Sequence, residues 1–291
     1  MPDLKPFLVL GVALGGVFAT SGVGLVVLYR TTGVLNLAYG AIGATGALIS
    51  WSLLDAGAPE GVAYPACIAF GGLVTLLYGV VFGPPLAARD PLVKATATLG
   101  LLLILLGAMQ WVWGPDPHGI TLPTSRWNYE IAGARVSGTQ IIGVLFAVVV
   151  AAGTAVSLRI TKLGTAMRAL ANDREITATL GVPVRRVEAA AWLGSGLVCG
   201  ATGLLLSNLV GLEIVTLTFL VIPSLAAALV GQLRSVWVTV VAGFLIGIIQ
   251  SGLNGFSEVA EYRTLTPFVV AILALLWFAI RRQPALMRYF R

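Results

Sequence analysis

Ionisable residues are scarce in this chain. Asp, Glu, Lys and Arg make up 10% of its 291 residues, against roughly 25% in soluble domains, while 58% are hydrophobic. Lys5, Lys94 and Lys162 are its three lysines, and none follows a glycine. That excludes the G-x-x-x-x-G-K-[ST] loop, so the chain does not cradle ATP in that way. His118 is the single histidine, and Cys67 and Cys199 are the only cysteines, both within apolar stretches. No cluster with metal-ligand spacing exists, and two cysteines make no disulfide framework. Gly194-Ser195-Gly196 is a truncated trace of the G-x-S-x-G nucleophile elbow with no acid or base partner near it, and helix packing explains it better. An enzyme therefore lacks its chemistry here. Charge is also missing from the middles of the long apolar stretches. A charge at a bilayer centre costs ~3 kcal/mol or more, and a chain that moved protons or ions would keep a few there as functional groups.

What is present is a series of apolar segments, each near the roughly 20 residues needed to cross about 30 Å of hydrocarbon. They fall near 7–28, 34–54, 62–82, 93–113, 138–158, 187–206, 214–230, 236–253 and 265–280. The expectation is an all-α polytopic membrane protein with about nine transmembrane helices, within a range of eight to ten, forming one domain over residues 1–291. Pro223 and Pro267 lie in the shorter later segments and predict bends there. Met1 to Pro6 is too short for the charged region of a signal peptide, and the first segment reads as an uncleaved span.

Basic residues crowd into one loop, with Arg159, Lys162, Arg168, Arg174, Arg185 and Arg186. Cytoplasmic loops retain Lys and Arg. Placing this loop inside and alternating the segments puts 14 of the 18 basic residues on the same side, leaving Lys5, Arg126, Arg135 and Arg263 outside. Eight of the twelve acids, Asp3 and Glu258 among them, join those four outside. The N-terminus is then outside, the C-terminus cytoplasmic, and residues 114–137 form an outer loop. The formal charge of +6 records topology, and no cationic face is left for nucleic acid.

Glycine is plentiful, at 35 residues, and recurs at small-residue spacing, as in Gly11 and Gly15, Gly196 and Gly200, Gly243 and Gly247. In lipid such positions let helices approach closely. A denser set in the second segment, Gly33, Gly40, Gly43 and Gly46, alternates with Asn36 and Tyr39 and makes that segment a candidate for a broken or re-entrant span. Asn36 and Tyr39 stand three residues apart, on one face of a helix. They either bond neighbouring helices or, with Gly40, line a translocation pathway that Asn208 joins from its far side.

The loop at about 159–187 holds a short helix. Asn172 is placed to cap it with Glu175 three residues on, Asp173 to Leu180 is its body, and Gly181 and Pro183 are its stop. Thr161, Gly164, Met167, Arg168, Ala169, Ala171, Asp173, Ala178, Gly181, Val182, Arg186 and Val187 follow in order the pattern of a cytoplasmic loop, and this loop resembles that of ABC importer permeases of the branched-chain amino acid (Liv system, LivH-type) family. Gly24 to Gly40, with Tyr29, Gly33, Asn36 and Gly40, and the run Ala97-Thr98-Leu99-Gly100-Leu101 are similar to the same family. The chain departs from it at Tyr39, where relatives have His or Gln, at Gln250, where Glu is common, and at Leu229 to Ser235, where a glycine-rich turn is usual.

The resemblance implies a permease subunit with no cofactor of its own, paired with a second homologous permease in a prokaryotic inner membrane. Two cytoplasmic ATPase subunits would bind ATP and Mg, and an extracytoplasmic binding protein would dock on the outer loop. Arg168, Asn172, Asp173, Glu175, Ala178 and Gly181 would then form the ATPase-coupling element. Branched-chain amino acids are the family's default solute, with amides, urea and other small polar compounds among its relatives' solutes. The competing reading is a secondary transporter or passive facilitator acting alone.

Overall fold

The computed structural model describes residues 5–131, 134–256 and 260–286. Asp3, Glu258, Arg288 and Arg291, which entered the charge count, lie outside the described residues. The chain is a helical bundle in the order α1 (Lys5–Thr32), α2 (Tyr39–Asp55), α3 (Glu60–Leu86) and α4 (Pro91–Trp113), followed by a hairpin of β1 (Asn128–Ile131) and β2 (Ala134–Ser137). Next come α5 (Gly138–Ile160), α6 (Lys162–Asn172), α7 (Arg174–Thr179), α8 (Val184–Val210), α9 (Ile214–Phe219), α10 (Val221–Val230), α11 (Val236–Gly252) and α12 (Thr266–Leu286). Among the described residues six helices are long and apolar enough to cross a membrane, and Ile214–Val230 and Tyr262–Phe278 are shorter apolar stretches. The remaining expected segment, α2, has 17 residues. The protein is thus a polytopic helical membrane protein.

α1 is the axis of the bundle, packed against α11, α8, α5 and α10. Its contact with α11 is made by backbone. A Cβ on Gly11 would lie 2.8 Å from the Ile248 Cα, one on Gly15 2.7 Å from the Phe244 Cα, and one on Gly243 2.6 Å from the Ala19 Cα. The threonines of α1 bond within the helix, Thr20 donating to the Gly16 carbonyl at 2.8 Å, Thr31 to that of Val27 at 2.9 Å and Thr32 to that of Leu28 at 2.8 Å. α3 and α8 meet the same way through Gly71, Gly196 and Gly200, and the Thr75 hydroxyl reaches the Trp192 carbonyl at 2.9 Å. α3, α4 and α5 expose Leu, Val and Ile on their outer faces, as lipid contact requires, including Leu103, Ile104, Val148 and Val149.

Two spans are interrupted, one of them not where the sequence suggested. α2 is continuous, and the interruption lies before it. Gly33, at φ +69°, ends α1, and residues 34–38 are non-helical. Asn36 is therefore not on a helical face with Tyr39. The span at 214–230 is broken in the segment where Pro223 predicts a bend, α9 ending at Phe219 and α10 beginning at Val221 with Leu220 between them.

The loop at 114–137 is more than a connector. His118 and Leu212 exchange backbone hydrogen bonds of 3.0 and 3.1 Å, and β1 pairs antiparallel with β2. Ser137 then opens α5 with a capping box, its hydroxyl accepting from the Gln140 amide while the Gln140 side chain accepts from the Ser137 amide.

Crowding at the α1–α11 seam sets its mutational response. Gly243→Val should lower stability by about 1–3 kcal/mol, because the neighbours are main chain and cannot rotate away. Gly107→Ala, with open space around it, should be neutral or gain up to ~1 kcal/mol from helix propensity. Thermal denaturation of both variants in detergent tests the contrast, and equal melting temperatures would remove the seam from this role.

Candidate functional site

The region around Tyr39 is built by five helices, α1, α2, α8, α9 and α10. Residues 33–38 enter it as irregular backbone, which apolar surroundings tolerate only if its polar groups find partners. Thr98 of α4 supplies two of them. Its hydroxyl accepts from the Leu37 amide at 3.1 Å and lies 2.9 Å from the Leu35 carbonyl. Asn36 supplies a third, its Oδ1 accepting from the Ala38 amide at 3.1 Å. Asn36 thus closes a local turn just before α2, while its Nδ2, also buried, has no partner among the described residues.

Tyr39 opens α2 and lies under Gly24 of α1, where a Cβ would come 2.6 Å from the tyrosine hydroxyl. Gly40 is pressed on α9, where any side chain would overlap the Thr218 carbonyl, and Gly43 and Gly46 face Cys199 and Cys67. Tyr39, Gly40 and Gly43, with Ser21 of α1, Thr202 of α8 and Ser224 of α10, surround a narrow cavity of about 20 Å³, room for about one water. The Tyr39 and Ser224 hydroxyls are buried and make no hydrogen bond among the described residues. Buried polar atoms without partners are uncommon and call for an explanation. Among the described residues no Asp, Glu, Lys, Arg or His lines the cavity. One wall is the α9–α10 break, so the irregular backbone of that span lines a cavity, as such backbone must in a membrane.

Of the residues singled out from sequence, Tyr39 and Gly40 are brought together here. Asn36 lies just outside. Asn208 is tied elsewhere, its Nδ2 donating to the Ile120 carbonyl in the loop at 114–137 at 3.0 Å. Ser21, Thr202 and Ser224 escaped the sequence reading because hydroxyl residues in spans usually bond their own helix. Thr202 does so, donating to Val198. Only the neighbouring Pro223 signalled Ser224.

The basic loop forms two helices where one was expected. The Thr161 hydroxyl accepts from the Gly164 amide at 2.9 Å and starts α6. α6 folds back so closely on α5 that a Cβ on Gly164 would lie 2.5 Å from the Leu158 Cα. Asn172 is the last residue of α6, so the cap expected of it belongs to Asp173, whose Oδ1 accepts from the Ile176 amide at 2.9 Å. The capping pair of Asn172 with Glu175 does not form. Asp173 adopts the extended backbone that an N-cap needs, at φ −154° and ψ 116°, whereas Asn172 is still helical. Gly181 has φ +80° after the helix, as its place in the stop required. Arg174 pairs with Glu188 of α8 at 2.9 Å, tying α7 to the body, and the Arg168 guanidinium lies 3.5 Å from the Thr165 hydroxyl. Glu175 and Ala178 are exposed, and beside them Ile176 and Leu180 present 60% and 76% of their surfaces. Two such aliphatic side chains on a charged loop form an apolar knob outside the bundle.

The profile of the family described as "Branched-chain amino acid transport system / permease component" matches residues 7–275. The chain is similar to the probable branched-chain amino acid transport permease protein LivH of Methanocaldococcus jannaschii, 25% identical and covering 78% of this chain and 74% of that one. It is similar to the high-affinity branched-chain amino acid transport system permease protein BraD of Pseudomonas aeruginosa, 25% identical over 95% of each chain. The LivH protein of Escherichia coli K12 is 21% identical over 91% of each. Among solved structures, PsaBC from Streptococcus pneumoniae in complex with Fab superposes with a TM-score of 0.51 at 14% identity, over 93% of this chain and 90% of that one, a likeness of fold.

The position of the cap is testable. Asp173→Ala should cost about 1 kcal/mol and raise amide exchange at Ile176, whereas Asn172→Ala should change either quantity little. Hydrogen exchange by mass spectrometry over 170–182 distinguishes them, and greater exchange in the Asn172 variant would return the cap to that residue.

Proposed function

Because the chain belongs to the branched-chain amino acid transport permease family, we propose that it forms the translocation pathway of an ABC importer for branched-chain amino acids or a related small polar solute. The match over residues 7–275 is the observation that carries this reading. The chain is a permease component and not a catalytic subunit. In the complex we envisage, it sits in a prokaryotic inner membrane as a single permease domain beside a second homologous permease. Separate ATPase subunits, which bind ATP and Mg, drive it, and a binding protein docks on the outer loop at 114–137.

Two features support the finer parts. The cavity at Tyr39 has hydroxyl and backbone groups but no net charge, which suits a solute whose own charges cancel, because an uncompensated charge there would be heavily penalised. With room for about one water it corresponds to a closed pathway, and the α9–α10 break at Leu220 is the natural point for it to widen. On the other side, the exposed Ile176 of α7 and Leu180 just after it give an ATPase subunit an apolar anchor, and Arg174 to Glu188 relays its movement into α8.

Uptake of labelled leucine by proteoliposomes holding the complete complex tests the assignment. Gly181→Val forces a β-branched residue into the left-handed region and should reduce ATP-driven uptake about tenfold with insertion intact. Tyr39→Phe removes a hydroxyl without a protein partner and should lower uptake with no loss of thermal stability. Uptake that persists without ATPase subunits would instead identify a facilitator.

The orientation has its own test. Cys67 and Cys199 are buried, so engineered cysteines give a clean signal. Thr177 is buried and unsuitable, but Thr179 and Asn128 are exposed. A membrane-impermeant maleimide should reach cysteine at 128 in cells with a permeabilised outer wall, and cysteine at 179 only after lysis. The reverse order would invert the topology.

A further inference from the structure

A second cavity, of about 620 Å³, opens where α1 ends, bounded by the start of α4, the α6–α7 junction and the turn after α10. Its lining includes Arg30, Lys94, Arg174 and Arg234 and, among the described residues, no acidic one. Of the four cations only Arg174 has a carboxylate partner among the described residues, Glu188. Arg30 is fixed in place, its Nη1 donating to the Arg234 carbonyl at 2.9 Å. That bond holds the Arg30 guanidinium against the turn that bears a second arginine. The Lys94 ammonium reaches over Gly33, where a Cβ would lie 3.5 Å from Nζ. Arg30 and Lys94 are half-buried and therefore less screened than cations spread over a surface.

Cations that serve only to orient a chain in the membrane have no reason to converge on one concavity, where they repel one another. Arginine forks beside a lysine suit the oxygens of a phosphate group. The last turn of a spanning helix is also where basic pockets meet anionic headgroups. We propose that this cavity binds a phosphate-class anion, either the phosphate of a soluble compound or the phosphodiester of an anionic lipid. The occupant would bridge α1 and α4 to the loop that carries Asn172 and Arg174. The inference goes beyond the transport reading and is measured on this chain alone, so either can fail without the other.

The full chain, purified and delipidated in neutral maltoside detergent, is titrated with inorganic pyrophosphate while its melting temperature is followed. In parallel it is placed in phosphatidylcholine nanodiscs with and without phosphatidylglycerol. A rise in melting temperature with either probe is expected, and apparent affinity should fall about fivefold for each cation removed in Lys94→Gln and in the double variant Lys94→Gln, Arg234→Gln. Lys94→Arg should retain binding, as should Arg126→Gln, which removes a cation from the outer loop. Stabilisation by pyrophosphate in detergent assigns a soluble phosphate. Stabilisation by phosphatidylglycerol alone, with the lipid retained in native mass spectra of the wild type and lost from the double variant, assigns a headgroup. If the double variant does not fold, Lys94→Gln compared with Lys94→Arg decides. No shift with either probe, an undiminished shift in Lys94→Gln, or an equal loss in Arg126→Gln would overturn the proposal.

Discussion

Helices in a bilayer gain nothing from expelling water when they associate, so their contacts must come from close van der Waals approach and from polar groups bonding one another. The bundle is organised by this constraint. α1 touches α11 through Gly11, Gly15, Ala19, Gly243 and Gly247, and α3 touches α8 through Gly71, Gly196 and Gly200, at separations that exclude any side chain. With α1 held between these neighbours, the short α2 can be inserted against α8 and α3 through Gly43 and Gly46. The cavity at Tyr39 is the small space these contacts leave.

The same constraint governs the irregular stretches. Residues 34–38 leave the helical pattern, yet Thr98 and Asn36 satisfy three of their backbone groups. The α9–α10 interruption is placed against the cavity. One break is braced by side chains, while the other borders open space and unpaired hydroxyls. The two breaks are thus handled differently, the first filled by side-chain hydrogen bonds and the second left beside unpaired hydroxyls.

Much of this was legible in the sequence. Gaps between charges located the spans, because a buried ion is expensive wherever the helix sits, and Gly181 announced its left-handed conformation. What could not be read had local competitors of equal standing. Asn172 and Asp173 are both good caps, and only the backbone angle decides between them. The glycines of α2 looked like a helix break, but a glycine that weakens a helix and one that admits a neighbour are the same residue, and contact with Thr218, Cys199 and Cys67 made the second use prevail. The convergence of Arg30, Lys94 and Arg234, from positions far apart in the chain, has no counterpart in any local pattern.

The glycine seam between α1 and α11 also has a thermal consequence. Side chains that interlock must give up rotational freedom, up to ~2 kcal/mol each for the longest, whereas glycine and alanine have none to surrender. Contacts that rely on the release of water weaken on cooling, and this seam, made in lipid by backbone atoms, relies on none. Its strength should therefore change little between a cold and a warm cell, leaving temperature to act mainly on the fluidity of the lipid around it.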